Sequence, residues 1–342
     1  MSGLRTIIVG FGKVAAGMAD DPKMARYFDY ASHASVLSAH EDFDWLGVAD
    51  PDPAAQHAAR ETWKVPHVGG DLASVAAAVE PEVAVIATPP GQRAEIVRQL
   101  PGVKALLVEK PLDAPGTDDG IRLAAMAAAR KLPVLVNYWR RADRLFQELA
   151  GGGLAARIGR PQAANFLYGN GLKTNGSHMI DFARMLLGEV AAVQALGPAT
   201  PASGAPLAGD TAVPFALTLA AGLIATFQPL DFCRYREVGL DIWGDEGRLS
   251  ILQEGLVTTV YPVADNRGVA DAREVVSDNG TVLPCTVTDS LYRMYDNLAA
   301  AARGTAAPWS SLASAQVNER VMGQVLRSAA EGGLRLPMDS GE

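Results

Sequence analysis

The sequence contains very little cysteine. Only Cys233 and Cys285 occur among its 342 residues, which is too few for a disulfide framework, and their spacing is not that of a metal site. We therefore expect both thiols to be reduced and no metal to be bound.

Long apolar runs are also missing. No stretch approaches the roughly 20 apolar residues that a membrane-spanning helix needs, and no basic region followed by a cleavable apolar segment precedes the glycine turn at residue 10. These two absences predict a soluble, cytoplasmic protein without a membrane partner.

Basic residues are in deficit. Thirty Lys and Arg residues against thirty-eight Asp and Glu residues give a formal net charge of −8, and no basic patch stands out along the chain. Such a surface repels nucleic acid and anionic lipid. The composition therefore favours a small-molecule partner.

The first segment with a chemical meaning is TIIVGFGKVAAGMAD, residues 6–20. An apolar run, a glycine turn and helix-forming residues follow one another, which predicts a strand, a tight turn and a helix. Gly10 permits the turn, Gly12 lacks the Cβ that would keep a diphosphate off the backbone, and Ala15 lets the helix pack on the strand. The free N–H groups of the first helical turn favour an anion. The segment predicts a dinucleotide site, although a lone motif of this kind also occurs as a plain turn.

Strands and helices then alternate. Apolar runs at 83–86, 105–108 and 134–136 are separated by helical segments, which predicts a doubly wound parallel sheet. Ligands bind outside the carboxyl ends of such strands. The residues expected to bind the cofactor at this edge are Gly10, Phe11, Gly12, Lys13, Val14, Asp50, Thr88, Pro89, Pro90, Glu109, Lys110 and Asn137.

An acidic residue follows the predicted second strand, residues 43–49, in the sequence Asp50-Pro51-Asp52. A carboxylate at this strand end accepts hydrogen bonds from the adenine ribose diol and repels a 2′-phosphate. The sequence therefore predicts NAD as the cofactor in preference to NADP.

Residues 21–42 lengthen the approach to this second strand. They predict an added helix or two near the cofactor site. His33 within this segment is either a site residue or a polar residue on an amphipathic helix.

From Gly151 the pattern changes to successive short strands, interrupted by one helix at 177–187 and closed by two more. This predicts an α+β domain with a large, mostly antiparallel open sheet. We expect a dinucleotide-binding domain at 1–141 and a substrate-binding and oligomerisation domain at 142–342. Helices on one face of the sheet leave the other face to be covered, which predicts a homodimer or homotetramer formed through it.

Six segments occur in an order and spacing that together are specific: GFGKVA at 10–15, ATPP at 87–90, EKP at 109–111, VNYWRR at 136–141, GSHMID at 176–181 and GDEGRLSIL at 244–252. Through them the sequence resembles the Gfo/Idh/MocA oxidoreductase family over essentially its whole length. Residues 169–189 are most similar to members from surface-polysaccharide and sugar-nucleotide pathways. The resemblance implies a Rossmann domain, a nicotinamide cofactor, and hydride transfer at a hydroxyl or keto carbon of a sugar or nucleotide-sugar derivative.

This chemistry needs a cation near the reacting oxygen and a group that takes the hydroxyl proton. Lys110 resembles the catalytic lysine of the family, the alternative being a solvated lysine. His178 fits the proton acceptor, the alternative being a capping histidine. Residues 175–177 are predicted to form a non-helical cap, which places His178 on the first helical turn. Asp181 is expected to orient or contact the substrate, or to serve the helix dipole.

Two positions depart from the family pattern. Thr174 stands where many members carry an Asp four residues before the His, so the Thr174 hydroxyl, the Asn175 amide or a backbone carbonyl would have to hold the imidazole ring. Arg93 stands where many carry a His, which suggests a changed cofactor or substrate edge. The first departure keeps open an alternative function, a non-catalytic dinucleotide-binding sensor of sugars.

Two adjacent arginines, Arg140 and Arg141, are suited to a phosphate or carboxylate on the substrate. Ion pairing with Asp143 or Asp181 is the alternative. The expected substrate contacts are Arg140, Arg141, Thr174, Asn175 and Asp181.

Overall fold

The computed structural model describes residues 3–18, 24–114 and 116–338, and the chain forms two compact units. The first unit comprises Met1–Asp143 and Thr288–Gln316, and the second comprises Arg144–Val287 and Val317–Glu342. The predicted division after residue 141 assigns residues 288–316 to the C-terminal domain, whereas they pack with the first unit.

The strands, numbered along the described chain, are β1 Leu4–Val9, β2 Phe43–Ala49, β3 His67–Gly69, β4 Val83–Ile86, β5 Ala105–Val108, β6 Val134–Val136, β7 Pro161–Tyr168, β8 Val190–Ala195, β9 Thr200–Pro201, β10 Thr211–Ala212, β11 Phe215–Leu219, β12 Ile224–Pro229, β13 Gly239–Gly244, β14 Gly247–Leu252, β15 Val257–Asp265, β16 Arg273–Val275, β17 Thr281–Leu283 and β18 Leu336–Pro337. The α-helices are α1 His33–Leu37, α2 Pro53–Glu61, α3 Leu72–Val79, α4 Arg93–Arg98, α5 Asp119–Arg130, α6 Arg144–Glu148, α7 Leu154–Ile158, α8 Ser177–Leu187, α9 Ser290–Ala302 and α10 Leu312–Ala330.

The first unit is built on a six-stranded sheet within the described residues, in the order β3-β2-β1-β4-β5-β6. All neighbouring strands are parallel, which confirms the predicted doubly wound sheet. Successive side chains of a strand point to opposite faces, so Ile8 and Val85 join a core with α1 and α9. Ile7 and Ile86 join the opposite core, which includes residues of α3, α4 and α5.

Two helices of this unit begin in different ways. Asp71 caps α3 by accepting a hydrogen bond from the Ser74 amide at 3.0 Å. Before α5, which follows Asp118, the Thr117 hydroxyl instead donates to the Ala114 carbonyl at 3.0 Å. The predicted insertion contributes α1 and a 3₁₀ turn at Met24–Arg26, while residues 21–23 lie outside the described part of the chain.

The second unit is built on a ten-stranded sheet within the described residues, in the order β16-β15-β14-β13-β7-β12-β11-β8-β18 with β17 paired to β15. Its pairs are antiparallel apart from β12 and β7, as predicted. One face is closed by a stack of Phe166, Phe227 and Phe215, whose neighbouring ring centroids lie 4.7 Å and 4.4 Å apart.

In the part of the chain that the structure describes, no helix combines the length and apolarity needed to cross a bilayer.

Candidate functional site

The glycine turn after β1 contains two glycines with different tasks. Gly10 has a φ of +85°, and a Cβ there would lie 2.9 Å from both the backbone N and the Cγ2 of Thr88. Gly12 has a φ of −84°, and a Cβ there would meet no described atom within 4 Å. The fold therefore requires glycine at position 10, whereas at position 12 it leaves an open backbone face.

The helical segment after the turn is short. Lys13–Gly17 form one π-helical turn, in which Ala15 is buried against the core. Lys13 and Val14 are exposed at its start. The predicted continuation through residues 19 and 20 lies outside the described residues.

Asp50 lies where β2 ends, directly beside the glycine turn. Its Oδ2 accepts a hydrogen bond from the Phe11 amide at 2.5 Å, and its Oδ1 accepts one from the Asp52 amide at 2.8 Å. Because a carboxylate has about four lone-pair positions, these bonds fix its orientation and leave acceptor capacity for a diol. The Asp52 carboxylate instead caps α2 by accepting from the Ala54 amide at 2.9 Å.

The loop after β4 is braced from within. Arg93 is 1% exposed, and its guanidinium donates to the Thr88 carbonyl at 2.9 Å and to the Pro111 carbonyl at 2.5 Å. It thus ties the loop after β4 to the loop after β5. Its departure from the family pattern did not suggest this bracing role. The Thr88 Oγ1 is buried without a hydrogen-bond partner among the described residues. Pro89 and Pro90 complete the loop and are partly or fully exposed.

The loops after β5 and β6 meet through their side chains. The Asn137 Nδ2 donates to the Glu109 Oε1 at 2.6 Å, and the two residues are only 7% and 6% exposed. The same Glu109 oxygen lies 3.1 Å from the Nε2 of His33 on α1. His33 in turn contacts the Tyr295 hydroxyl of α9 through Nδ1, at 2.8 Å.

The protonation of this cluster follows from its contacts. Burial raises the pKa of Glu109, but the hydrogen bond from His33, the positive charge of Lys110 and the hydrogen bond from Asn137 together bring that pKa below its usual value. Burial, reinforced by the nearby Glu109 charge, raises the pKa of Tyr295 well above its usual range. Glu109 is therefore an anion next to half-buried Lys110, and Tyr295 keeps its proton.

The two predicted substrate arginines lie on a 3₁₀ turn, Trp139–Ala142, that follows β6. Arg140 is 4% exposed, and its guanidinium carbon lies 4.3 Å from the Trp139 ring centroid. Arg141 is half-buried. Asp143, their proposed alternative partner, is buried and accepts a hydrogen bond from the Ser290 hydroxyl at 3.1 Å.

In the second unit the predicted cap before His178 is wrong. Leu172–Gly176 already form a helical turn, and Gly176 has helical angles, φ −55° and ψ −39°. His178 on α8 therefore lies beyond the first turn of a longer helical run. The reason is a cap from a distant residue: Asp210 accepts from the amides of Lys173 and Thr174 at 3.0 Å and 2.8 Å.

Asp210 also accepts the Thr174 hydroxyl at 2.8 Å and is 6% exposed. A carboxylate is thus bonded to the side chain that replaces the family's Asp. A Cβ at Gly171, whose φ is +97°, would lie 2.3 Å from the Asp210 Cγ. Reasoning from the sequence missed Asp210, because no local signal marks the contact across 36 positions.

Two further predicted substrate residues have different surroundings. Asp181 is 2% exposed, and its Oδ1 accepts from the Asn318 Nδ2 at 2.9 Å. The Asn318 Oδ1 in turn accepts from Arg184 at 2.6 Å, so Asp181 belongs to a buried polar chain. Asn175 is half-buried, and its Nδ2 finds no hydrogen-bond partner among the described residues.

Within the described ranges, no group of three or more His, Cys, Asp or Glu side chains is placed to hold a metal ion.

Residues 4–138 match the family profile described as oxidoreductase family, NAD-binding Rossmann fold, and residues 140–250 match the GFO/IDH/MocA C-terminal domain. No curated protein matches the sequence.

Solved structures resemble the fold over nearly the whole chain. One is the WlbA dehydrogenase from Bordetella pertussis in complex with NADH and UDP-GlcNAcA, with 18% identity, a TM-score of 0.72, and coverage of 99% of this chain and 100% of that one. WlbA from Chromobacterium violaceum with the same ligands also shows 18% identity and a TM-score of 0.72, covering 100% of this chain and 98% of that one. An oxidoreductase from Agrobacterium radiobacter in complex with NAD+, L-tartaric acid and magnesium shows 16% identity, a TM-score of 0.73 and coverage of 98% of each chain.

Proposed function

The chain belongs to the GFO/IDH/MocA oxidoreductase family, and on that premise we propose that it is a NAD-dependent dehydrogenase or reductase. Its substrate is a sugar or nucleotide sugar, oxidised at a CH–OH carbon or reduced at the corresponding keto carbon. Similar folds bind NADH together with UDP-GlcNAcA in the two WlbA structures, which supports this substrate class.

The observation that carries the proposal is the set of unsatisfied or open groups at the carboxyl edge of the first sheet. Gly12 offers an open backbone face, Asp50 is oriented with spare acceptor capacity, and the Thr88 Oγ1 and Asn137 Oδ1 are buried without partners among the described residues. Buried polar atoms normally have partners. These residues fit a dinucleotide, which accepts or donates hydride when bound.

NAD rather than NADP is the proposed cofactor because Asp50 is held beside the turn by two backbone amides. A 2′-phosphate near this carboxylate would meet like charge, and Asp50-Pro51-Asp52-Pro53 contains no cation to offset it.

Within this proposal Lys110 stabilises the alkoxide, and His178 takes the hydroxyl proton in oxidation. Lys110 is suited to its role because it follows the buried Glu109 anion at the end of β5. The Thr174 hydroxyl gives its only proton to Asp210, so its oxygen can act as an acceptor one helical turn from His178.

The proposed substrate contacts are Arg140, Arg141, Thr174, Asn175 and Asp181. Asn175 has the most direct support, because its buried Nδ2 is a donor without a partner among the described residues. Asp181 has the least, because its carboxylate is already bonded to Asn318.

The sensor alternative was motivated by the loss of an acid at position 174. Asp210 weakens that motivation, because a buried carboxylate contacts the Thr174 hydroxyl at 2.8 Å. A protein that binds NADH but turns over no sugar would still favour a sensor.

A second copy of this chain is the proposed macromolecular partner. One face of the large sheet is buried, whereas the other carries half-exposed side chains at alternate positions, among them Asp241, Trp243, Arg248 and Tyr261. On this face Ile224 is 56% exposed. Ile224→Glu should shift a wild-type dimer or tetramer towards monomer in sedimentation velocity, and a wild-type monomer would contradict the proposal.

The function is tested by mixing the purified protein with NAD and a panel of nucleotide sugars and free sugars, while absorbance at the nicotinamide band is recorded. We expect an increase with at least one compound for the wild type. A wild-type protein that binds NADH but gives no change with the panel would contradict the catalytic proposal.

A further inference from the structure

Four buried polar side chains from separate segments of the first unit form one hydrogen-bonded chain. It runs from Tyr295 on α9 through His33 on α1 and Glu109 after β5 to Asn137 after β6. Their exposures are 0%, 1%, 6% and 7%. Buried polar chains of this kind are costly unless every member is satisfied, so the pattern of donors and acceptors can be worked out.

The direction of these hydrogen bonds is set by Glu109. An ionised carboxylate only accepts hydrogen bonds, so the Nε2 of His33 carries a proton and donates it to the Glu109 Oε1 at 3.1 Å. Tyr295 keeps its hydroxyl proton in this buried position, and its hydroxyl contacts the Nδ1 of His33 at 2.8 Å.

Glu109 in turn fixes the orientation of the Asn137 amide. Its Oε1 accepts the amino group of the Asn137 amide at 2.6 Å. The opposite amide orientation would place the Asn137 carbonyl oxygen against the carboxylate, where two acceptors repel. The Asn137 amide is therefore fixed, and its Oδ1 is buried without a hydrogen-bond partner among the described residues.

We propose that His33 and Tyr295 are positioning residues that fix the Asn137 amide, so that the Asn137 Oδ1 accepts an N–H from the nicotinamide carboxamide. This inference rests on the proposed use of a nicotinamide cofactor. A buried acceptor that lacks a donor costs free energy, and the carboxamide amino group supplies that donor. The segment before β2 then has a definite task, because it brings His33 to Glu109.

The test compares two dinucleotides that differ in this amino group. In reduced 3-acetylpyridine adenine dinucleotide a methyl group replaces it, while the ring and the ribose hydroxyls are retained. Equilibrium binding of this analogue and of NADH is measured by fluorescence titration, without substrate. We expect the wild type to bind NADH about tenfold more tightly, as for one buried hydrogen bond.

Variants test whether the preference for NADH depends on the hydrogen-bonded chain of side chains. Asn137→Ala and His33→Leu should bring the two affinities within about twofold, and Tyr295→Phe should lower the preference for NADH partway. His33→Gln, which can still donate to Glu109, should restore most of it. His40→Leu is the matched control, because His40 is another buried histidine, 5% exposed, whose ring stacks on Tyr292 at 4.3 Å, and it should keep the wild-type preference.

Melting temperatures measured without cofactor confirm that each variant is folded. An unchanged preference for NADH in folded Asn137→Ala, or in both folded His33→Leu and folded Tyr295→Phe, would overturn the positioning role. Equal wild-type affinities would show that a ribose hydroxyl or another donor faces Asn137 and would also overturn it. A wild type that binds neither dinucleotide would instead refute the cofactor assignment on which the inference rests.

Discussion

The two sheets place their polar residues by different means. In the first unit all six described strands of the sheet run in the same direction, so residues far apart in sequence meet at one edge, as Glu109 and Asn137 do. In the second unit nearly all neighbouring strands are antiparallel, and their ends are divided between two edges. Its important polar contact, Thr174 with Asp210, depends on a connection between β8 and β11 and not on strand order.

Asp210 and the carboxyl edge of the first sheet also differ in how far their polar atoms are satisfied. Asp210 accepts four hydrogen bonds, from Lys173, from Thr174 twice and from Thr211, which suits a rigid support. The carboxyl edge of the first sheet leaves the Thr88 Oγ1 and the Asn137 Oδ1 without partners among the described residues. The parallel sheet thus leaves open polar atoms at the edge proposed to bind the ligand, and the second unit contains a helical run capped from a distance.

The largest expected effect concerns the second unit. His178→Asn should lower turnover by about 10²- to 10⁴-fold, the range for one general base, and should flatten the rise of the oxidation rate with pH. Steady-state kinetics across pH measure both. His57→Asn, on α2, is the control and should behave as the wild type. If His178→Asn keeps the rate and the pH profile, the catalytic role of the second unit is lost and the comparison fails.

A slightly smaller effect tests the edge of the first sheet. Lys110→Met should lower turnover by about 10²- to 10³-fold, as for removal of one group aimed at a developing alkoxide, while NADH binding stays within several-fold. Lys104→Met is the matched control at the opposite end of β5, where Lys104 pairs with Glu82 at 2.7 Å. Equal losses of turnover in both variants would mean that the reaction does not depend on a residue at the carboxyl end of β5.

The smallest expected effect concerns the role of Asp50 in the preference for NADH over NADPH. NADH should bind at least about tenfold more tightly than NADPH, a difference of about 1.4 kcal/mol, and Asp50→Asn should remove most of that difference. Asp52→Asn is the comparison, because the Asp52 carboxylate caps α2 and its loss should leave the preference nearly intact. Fluorescence titration measures the affinities for both dinucleotides. Equal or tighter NADPH binding by the wild type would refute the assignment of NAD as the preferred cofactor.

Local pattern was sufficient for much of the first unit. The predicted strands at 43–49, 83–86, 105–108 and 134–136 are confirmed, because each is an apolar run bounded by turn residues. β3 has only three residues, of which His67 is exposed, so its pattern is too short to predict a strand. The resemblance to the family is confirmed as well.

Contacts between distant segments could not be predicted in this way. The α8 bounds, 177–187, follow from the sequence, but the cap of the preceding turn comes from Asp210 and so the predicted local cap was wrong. His33 could be noticed, yet its partners Glu109 and Tyr295 lie 76 and 262 positions away. Neither contact has a periodicity or a motif that a single sequence displays.

The most direct test of the central claim, that the carboxyl edge of the first sheet binds a dinucleotide, is NADH binding to Gly12→Val. A Cβ at Gly12 meets no described atom within 4 Å, so the melting temperature of the variant without cofactor should match that of the wild type. The added side chain would occupy the backbone face proposed for the diphosphate, and we predict that NADH binding falls at least about a hundredfold, or about 2.7 kcal/mol. A folded Gly12→Val protein that binds NADH as tightly as the wild type would contradict the account.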